Sequence, residues 1–131
     1  MGASDSSAEH QLRSPVVIIG AGPCGLAAAI ALKQAEIPAI VFEQGCLVSS
    51  ISQYPTFITF FSTAEKISIG GLPFPVAGDK PTRREAMAYY RAATTHFALD
   101  VRQYERVVDV SRDEAGFAVT TEPPGGERRV T

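Results

Sequence analysis

The chain has 131 residues, of which 45% are hydrophobic and 20% are charged, and its formal net charge is −2. This length and composition predict one globular domain that buries a hydrophobic core and needs no disulfide bonds or metal ions for stability. The slightly negative net charge argues against a protein that wraps nucleic acid or binds membranes through a polybasic surface. The longest apolar run, residues 26–32, is too short to cross a bilayer. Cys24 and Cys46 are the only cysteines, and no secretory signal opens the chain, so we expect a cytoplasmic protein without a metal site.

The first third of the chain predicts a tail followed by a βαβ unit. Residues 1–14 are polar and Ser-rich, and we expect them to form a flexible tail before the domain. The β-branched run 16–19 predicts a strand that is buried on both faces of a parallel sheet. After a glycine turn, the Ala- and Leu-rich segment 23–34 predicts a helix, and 39–43 predicts a second buried strand.

The rest of the chain predicts a long loop, a second large helix and several short strands. A short helix is expected within 45–54, and an aromatic, Pro- and Gly-rich loop over 54–81. Thr82 and Glu85 have the spacing of a capping box, which predicts an amphipathic helix over 83–98. The apolar face of this helix carries Met87, Tyr90, Thr94 and Phe97. Strands are expected over 101–104, 106–110, 116–121 and 128–131, with a turn at 123–126.

The main chemical signal is the motif Gly20-Ala21-Gly22-Pro23-Cys24-Gly25, a G-x-G-x-x-G between a predicted strand and a predicted helix. In this motif the first glycine allows a tight turn, the second lets the backbone approach a pyrophosphate, and the third lets the helix pack on the strand. Pro23 suits the first helical turn, whose free N–H groups bind phosphate. We therefore predict that Gly20, Gly22, Pro23 and Gly25 bind a dinucleotide. The alternative is a glycine turn in an α/β domain that binds no nucleotide.

A carboxylate stands where the second predicted strand ends. Glu43 follows Gly20 by 23 positions, near the spacing of the acid that binds the adenosine ribose in such folds. Its charge would repel a 2′-phosphate, which favours FAD or NAD over NADP. The amino-terminal position of the motif, the long aromatic loop and the late antiparallel strands favour FAD. The neighbouring Gln44 is also predicted to lie at the cofactor. The fold class is thus α/β, a Rossmann-like FAD-binding domain with a parallel sheet and an antiparallel β-meander.

Several segments resemble the bacillithiol disulfide reductase family, thioredoxin-reductase-like flavoproteins with two dinucleotide-binding domains. The segment VVIIGAGPCGLAAAIALK (16–33) is shared with many FAD enzymes, whereas YPT (54–56), FFSTAEKISIG (60–70) and KPTRREA (80–86) are more specific. The resemblance runs from Val16 to the end of the chain. It implies an enzyme that passes electrons from NAD(P)H through FAD to the disulfide of a low-molecular-weight thiol, its small-molecule substrate.

The resemblance also assigns residues. Gly20, Gly22, Gly25 and Glu43 match the FAD-binding motif of the family. Cys24 matches a cysteine inside the glycine turn, which implies a catalytic redox role; from the residues alone, a small packing role is the alternative. Two positions depart from the family pattern, with Gln44 where a basic residue is frequent and Glu36 where glycine would cap the first helix.

Family members of this kind are longer than the present sequence. No second G-x-G-x-x-G occurs, so we expect a partial FAD-binding domain over 15–131, truncated before the NAD(P)H domain, that does not turn over alone. One alternative is an FAD-dependent monooxygenase-like protein. Another is an inactive remnant or nucleotide-binding module that needs a complementing chain. Assembly into a homo-oligomer also stays open.

Overall fold

The computed structural model describes residues 12–126 and 129–130, so residues 1–11 of the predicted tail lie outside the described part. In chain order the elements are β1 (Val16–Ile19), α1 (Pro23–Gln34), β2 (Ala39–Phe42), α2 (Ser49–Ser52), α3 (Ala64–Ile67), α4 (Arg83–His96), β3 (Val101–Arg102), β4 (Arg106–Asp113), β5 (Gly116–Glu122) and β6 (Arg129–Val130). Within the described ranges, no helix has both the length and the apolar character needed to cross a membrane.

A three-stranded parallel sheet carries the first half of the fold. Its strand order is β1-β2-β3, and α1 makes the crossover between the first two strands. The central strand β2 is buried and pairs with β1 on one side and with β3 on the other. On the β3 side, the N–H groups of Val41 and Glu43 donate to the Asp100 and Arg102 carbonyls at 2.9 Å. The predicted α/β fold is confirmed. The prediction that β1 is buried on both faces is wrong, because β1 forms an edge of this sheet and its Ile19 is 60% exposed.

Helix α1 packs on the sheet through one apolar stripe. Leu26, Ala29 and Ile30 are buried in the core, and the small alanines of the helix allow close approach to the strands. After Gln34 the chain leaves the helix through Glu36, whose φ is +59°. This left-handed conformation favours glycine, so Glu36 occupies a position where glycine would be less strained.

Two tyrosines of α4 hold the segment that precedes this helix. The Tyr89 hydroxyl accepts from the Ile69 N–H at 2.9 Å and donates to the Leu72 carbonyl at 2.7 Å, while the Tyr90 hydroxyl donates to the Ile67 carbonyl at 2.8 Å. Phe74 also stacks on Tyr89, with ring centroids 4.0 Å apart. These contacts order the 54–81 region, and this long stretch contains the single-turn helix α3, a short element that the sequence pattern did not identify.

The capping box that opens α4 is confirmed. Thr82 Oγ1 accepts from the Glu85 N–H at 3.2 Å, and Glu85 Oε1 accepts from the Thr82 N–H at 3.1 Å. These hydrogen bonds lower the pKa of Glu85, because they favour its ionised form. An isolated antiparallel β-bridge between Thr59 and Thr82 also connects the start of α4 to the aromatic 54–81 region.

The second half of the fold is an antiparallel sheet of order β4-β5-β6, which confirms the predicted meander. A register shift between Val107 and Asp109 marks a bulge near its start. This sheet is linked to the first through Glu105, a buried residue whose N–H donates to the Glu43 carbonyl at 2.9 Å. The Glu105 carboxylate accepts from Thr121 Oγ1 at 2.7 Å, which joins the link to β5.

The burial of Tyr90 predicts a loss of stability in alkali. Burial, with Tyr89 and Cys24 nearby, raises the pKa of Tyr90 from 10 to about 12. The contribution of the neutral Tyr90 phenol to the free energy of unfolding is therefore complete below pH 10. It falls by up to about 2–3 kcal/mol as the pH rises to 12. Denaturant unfolding between pH 9 and 12 should show a smaller alkaline loss for Tyr90→Phe than for the unchanged chain. The exposed Tyr54 supplies the matched control, and equal pH dependence in Tyr90→Phe and Tyr54→Phe would contradict the assignment.

Candidate functional site

The glycine turn joins β1 to α1 at the carboxyl end of the parallel sheet. Gly20 has a φ of +102°, a conformation that side chains disfavour, and its N–H donates to the Phe42 carbonyl at 2.8 Å. At Gly25, a Cβ atom would collide with the Gly20 carbonyl oxygen and also touch the Ile18 side chain. The absence of a side chain at Gly25 therefore lets α1 lie directly against the turn and β1.

The amino terminus of α1 is free to meet an anion. Gly22 is its N-cap residue and supplies no side-chain cap, Pro23 is its first residue, and its first turn has no acidic residue. The first N–H groups of a helix have no partner within the helix and carry a partial positive charge. A Cβ atom on Gly22 would meet no heavy atom within 4 Å, so the turn is open on this side. The arrangement fits a phosphate or diphosphate group.

The Glu43 carboxylate fastens this turn to the loop after β2. It is 7% exposed, and its Oε1 atom accepts from the Ala21 N–H at 3.1 Å while Oε2 accepts from the Gly45 N–H at 2.6 Å. An ionised carboxylate has about four acceptor positions, so two hydrogen bonds leave capacity for hydroxyl donors. Glu43 thus lies beside the glycine turn, as the sequence predicted, and it also holds the turn in place, which the sequence did not predict.

The loop from 44 to 48 lines the same end of the sheet. The Val48 N–H donates to the Ala21 carbonyl at 3.0 Å, and the Leu47 N–H donates to Gln103 Oε1 at 2.7 Å. Gln44 is exposed between these anchors. Gln44 therefore lies next to Glu43 at the same edge of the sheet. Sequence reasoning missed Gln103, since only the parallel pairing of β2 with β3 brings it to this loop.

The two cysteines differ in position. Cys24 is exposed and is the second residue of α1, beside the open side of the turn. Cys46 is partly buried, with its Sγ atom 3.7 Å from Ser52 Oγ. Both are free thiols. Within the described residues, no group of three or more His, Cys, Asp or Glu side chains could hold a metal ion.

Two of the three more specific segments, 60–70 and 80–86, lie side by side. The Phe60 N–H donates to the Pro81 carbonyl at 2.9 Å, and the Arg83 N–H donates to the Ile58 carbonyl at 3.2 Å. The Arg83 guanidinium donates to the Ser52 carbonyl at 2.7 Å, so these segments contact α2, whose amino-terminal loop is bonded to the glycine turn.

A strand, an open glycine turn, a helix amino terminus and a carboxylate at the end of the next strand together define a dinucleotide-binding βαβ unit. The chain belongs to the pyridine nucleotide-disulphide oxidoreductase family, whose family model matches residues 17–124. Bacilliredoxin reductase Bdr of Bacillus subtilis is 51% identical over 80 residues, which is 61% of this chain and 25% of that protein. Bacillithiol disulfide reductase Bdr of Bacillus cereus has a TM-score of 0.89 at 42% identity, covering 91% of this chain and 37% of the other.

Monooxygenases form a more distant set of relatives. The flavin-containing monooxygenase from Stenotrophomonas maltophilia has a TM-score of 0.79 at 27% identity, covering 89% of this chain and 36% of the other. The probable indole-3-pyruvate monooxygenase YUCCA7 of Arabidopsis thaliana is 32% identical over 101 residues, 75% of this chain and 23% of that protein. The resemblance to bacillithiol disulfide reductases is confirmed, and the chain spans about a quarter to two fifths of the length of these relatives.

The tight packing at Gly25 predicts a sharp difference between two glycine substitutions. Gly25→Ala should lower the free energy of unfolding by about 1–3 kcal/mol, because the added methyl group displaces α1 from the Gly20 carbonyl. Gly22→Ala should lower it by less than about 1 kcal/mol, the difference between glycine and alanine at an N-cap, since the site is open and its φ of −78° suits alanine. Urea denaturation of both variants checks this, and equal stabilities would contradict the packing role of Gly25.

Proposed function

We propose that the chain is the FAD-binding portion of an NAD(P)H-dependent flavoprotein oxidoreductase that reduces the disulfide of a low-molecular-weight thiol. The observation that carries the proposal is the Glu43 carboxylate beside the open amino terminus of α1, 3.1 Å from the Ala21 N–H. Membership of the pyridine nucleotide-disulphide oxidoreductase family supports it. We place the domain at residues 15–131, with 1–14 as a tail.

The residues at the turn suit the ADP half of FAD. Gly22 and the first N–H groups of α1, after Pro23, would hold the diphosphate, because they present free donors and a positive dipole end. The spare acceptor positions of Glu43 would take the ribose hydroxyls, whose donors match an ionised carboxylate. Gly20 and Gly25 would act indirectly, by shaping the turn. The exposed Gln44 would lie at the outer side of the ribose.

The net reaction that we propose converts one disulfide and NAD(P)H plus a proton into two thiols and NAD(P)⁺. When bound, FAD supplies the two-electron transfer between these partners. Cys24 is the candidate redox residue of this chain, because its thiol is exposed beside the diphosphate site. The relatives' names give two kinds of disulfide substrate, bacillithiol disulfide for the Bacillus cereus protein and a bacilliredoxin for the Bacillus subtilis protein. We propose the small-molecule disulfide here, in the cytoplasm, where the free thiols of Cys24 and Cys46 persist.

Oxygen chemistry is the second candidate function, and the monooxygenase relatives support it. The two functions differ in what NADPH consumption requires. A reductase consumes NADPH only when a disulfide is supplied, and it forms two thiols for each NADPH. A monooxygenase consumes NADPH and oxygen together. The assay needs the complete flavoprotein that contains this chain, and oxygen-dependent NADPH loss without thiol formation would favour the second function.

The open side of Gly22 provides a test of cofactor binding that leaves the fold intact. Gly22→Ala should weaken FAD binding by about tenfold or more, because its methyl group occupies the space that the diphosphate needs. Gly78→Ala is the matched control, since it also adds a methyl group at an open position with no positive φ. Isothermal titration with FAD measures both. Unchanged affinity in Gly22→Ala would remove the diphosphate from this turn. Glu43→Ala is less discriminating, because it also releases the Ala21 and Gly45 amides.

The position of Cys24 predicts protection by the cofactor. Saturating FAD should slow alkylation of Cys24 by N-ethylmaleimide about fivefold or more, because the diphosphate would lie across the turn that contains the thiol. Cys46, which lies in the following loop and contacts Ser52, is the internal control and should react at the same rate with or without FAD. Peptide mass spectrometry reads each cysteine separately. An equal rate for Cys24 in both conditions would separate this residue from the cofactor.

A further inference from the structure

Tyr104 lies in the turn that follows β3, and its backbone is held in an unfavourable conformation. Its φ is +57°, in the left-handed region that residues other than glycine rarely adopt. Its N–H donates to the Gly45 carbonyl at 3.0 Å, and the N–H of the next residue, Glu105, donates to the Glu43 carbonyl at 2.9 Å. Backbone strain persists only where surrounding contacts hold it, and it is concentrated at functional sites.

The Tyr104 ring is exposed although the backbone that carries it is fixed. The residue is 60% exposed. Among the described residues, its ring has no stacking partner and its hydroxyl has no hydrogen-bond partner. The ring therefore adds little to the packing of this chain. An aromatic ring that a strained turn presents in this way is suited to pack against a flat ligand group.

The hydrogen bonds around Glu43 give the order in which the parts of a nucleotide would lie. The Glu43 carboxylate accepts from the Ala21 N–H in the glycine turn and from the Gly45 N–H. The Gly45 carbonyl in turn accepts from Tyr104. In a nucleotide the ribose lies between the phosphates and the base. With the diphosphate at the amino terminus of α1 and the ribose at Glu43, the base extends toward Gly45 and Tyr104.

The charged side chains near Tyr104 in the sequence favour a neutral group at this position. Arg102 is paired with Asp100, with 2.7 Å between Nε and Oδ1. Arg106 is paired with Glu122, with 3.2 Å between Nη2 and Oε2. Both guanidinium groups are thus already neutralised by a carboxylate, which makes them poor partners for a phosphate. A flat uncharged base needs no such cation, because it binds an aromatic ring through its face.

We propose that the Tyr104 ring stacks on the adenine base of FAD. The inference rests on the proposed function and adds a binding residue for the base. Stacking uses the face of the base and not its edge groups, so Tyr104 contributes affinity without selecting between purines. The fixed turn helps, because the chain at Tyr104 does not have to be ordered when the cofactor binds.

Replacing Tyr104 with glycine separates the role of the ring from that of the backbone. Tyr104→Gly relieves the positive φ, so the midpoint of urea unfolding should not fall. Its affinity for FAD and for ADP, measured by isothermal titration of the full chain, should fall about tenfold. Tyr104→Phe keeps the stacking face and should retain both affinities within about twofold.

Ala98→Gly is the matched control for the backbone. It relieves a φ of +49° in the turn after α4, away from the loops that border Glu43. Its urea midpoint should also not fall, because glycine adopts this conformation without strain. Its affinities for FAD and ADP should equal those of the unchanged chain.

A tryptophan reporter tests the contact with the base directly. The sequence contains no Trp, so Tyr104→Trp introduces a single fluorophore. ADP should quench its emission, because the adenine would lie on the indole ring. Phe117→Trp is the control, since Phe117 is also well exposed but lies on β5 of the antiparallel sheet. ADP should leave the emission of this control unchanged.

Four results would overturn the proposal. Unchanged FAD affinity in Tyr104→Gly, or unquenched emission in Tyr104→Trp, would contradict the stacking role and leave the proposed cofactor standing. An equal loss of affinity in Ala98→Gly would assign the effect to backbone flexibility. If the unchanged chain binds neither FAD nor ADP, the proposed function fails together with this inference.

Discussion

The Glu43 carboxylate holds the nucleotide end of this fold together. It lies where β2 ends, and its two oxygens accept the N–H groups of Ala21 and Gly45. The glycine turn and the following loop thereby share one anion, in a buried position where hydrogen bonds to charge are strong. The link continues through the Glu43 backbone to Arg102 and Glu105, which join β3 and the antiparallel sheet. One residue thus links the glycine turn, the loop after β2 and both sheets.

Most helices and strands were predictable because patterns among neighbouring residues specify them. A β-branched run, a glycine turn and an alanine-rich helix specify β1 and α1 from neighbouring residues alone, and the capping box at Thr82 fixes the start of α4. The placement of Glu43 was predictable because parallel strands end at one edge of a sheet. Its bonds to Ala21 and Gly45 were not, because they depend on how the turn folds back on the loop.

The errors came from contacts between distant residues. Helix α3 is a single turn, too short to leave a periodic signal, and its neighbourhood is ordered by the phenols of Tyr89 and Tyr90 about 20 positions later in the chain. Tyr89 was absent from the predicted apolar face of α4, yet it is buried. The exposure of β1 depends on strand order, which an apolar run cannot reveal. The turn and the meander also occur in monooxygenases, so fold alone does not separate the functions. The segments around Phe60 and Pro81, which carry the more specific resemblance, form one patch against α2.

The outer edge of β1, which no strand of the described residues pairs, also bears on how the chain behaves. Natural sheets protect their edges with lysine, proline, bulges or covering elements, because unpaired N–H and C=O groups template association with other chains. Apart from Pro15 just before it, β1 has none of these sequence devices. Its short length limits this hazard, but the exposed Ile19 and Phe117 add to it. We therefore expect the solubility of the chain at high concentration to depend on this edge and on the two exposed apolar side chains beside it.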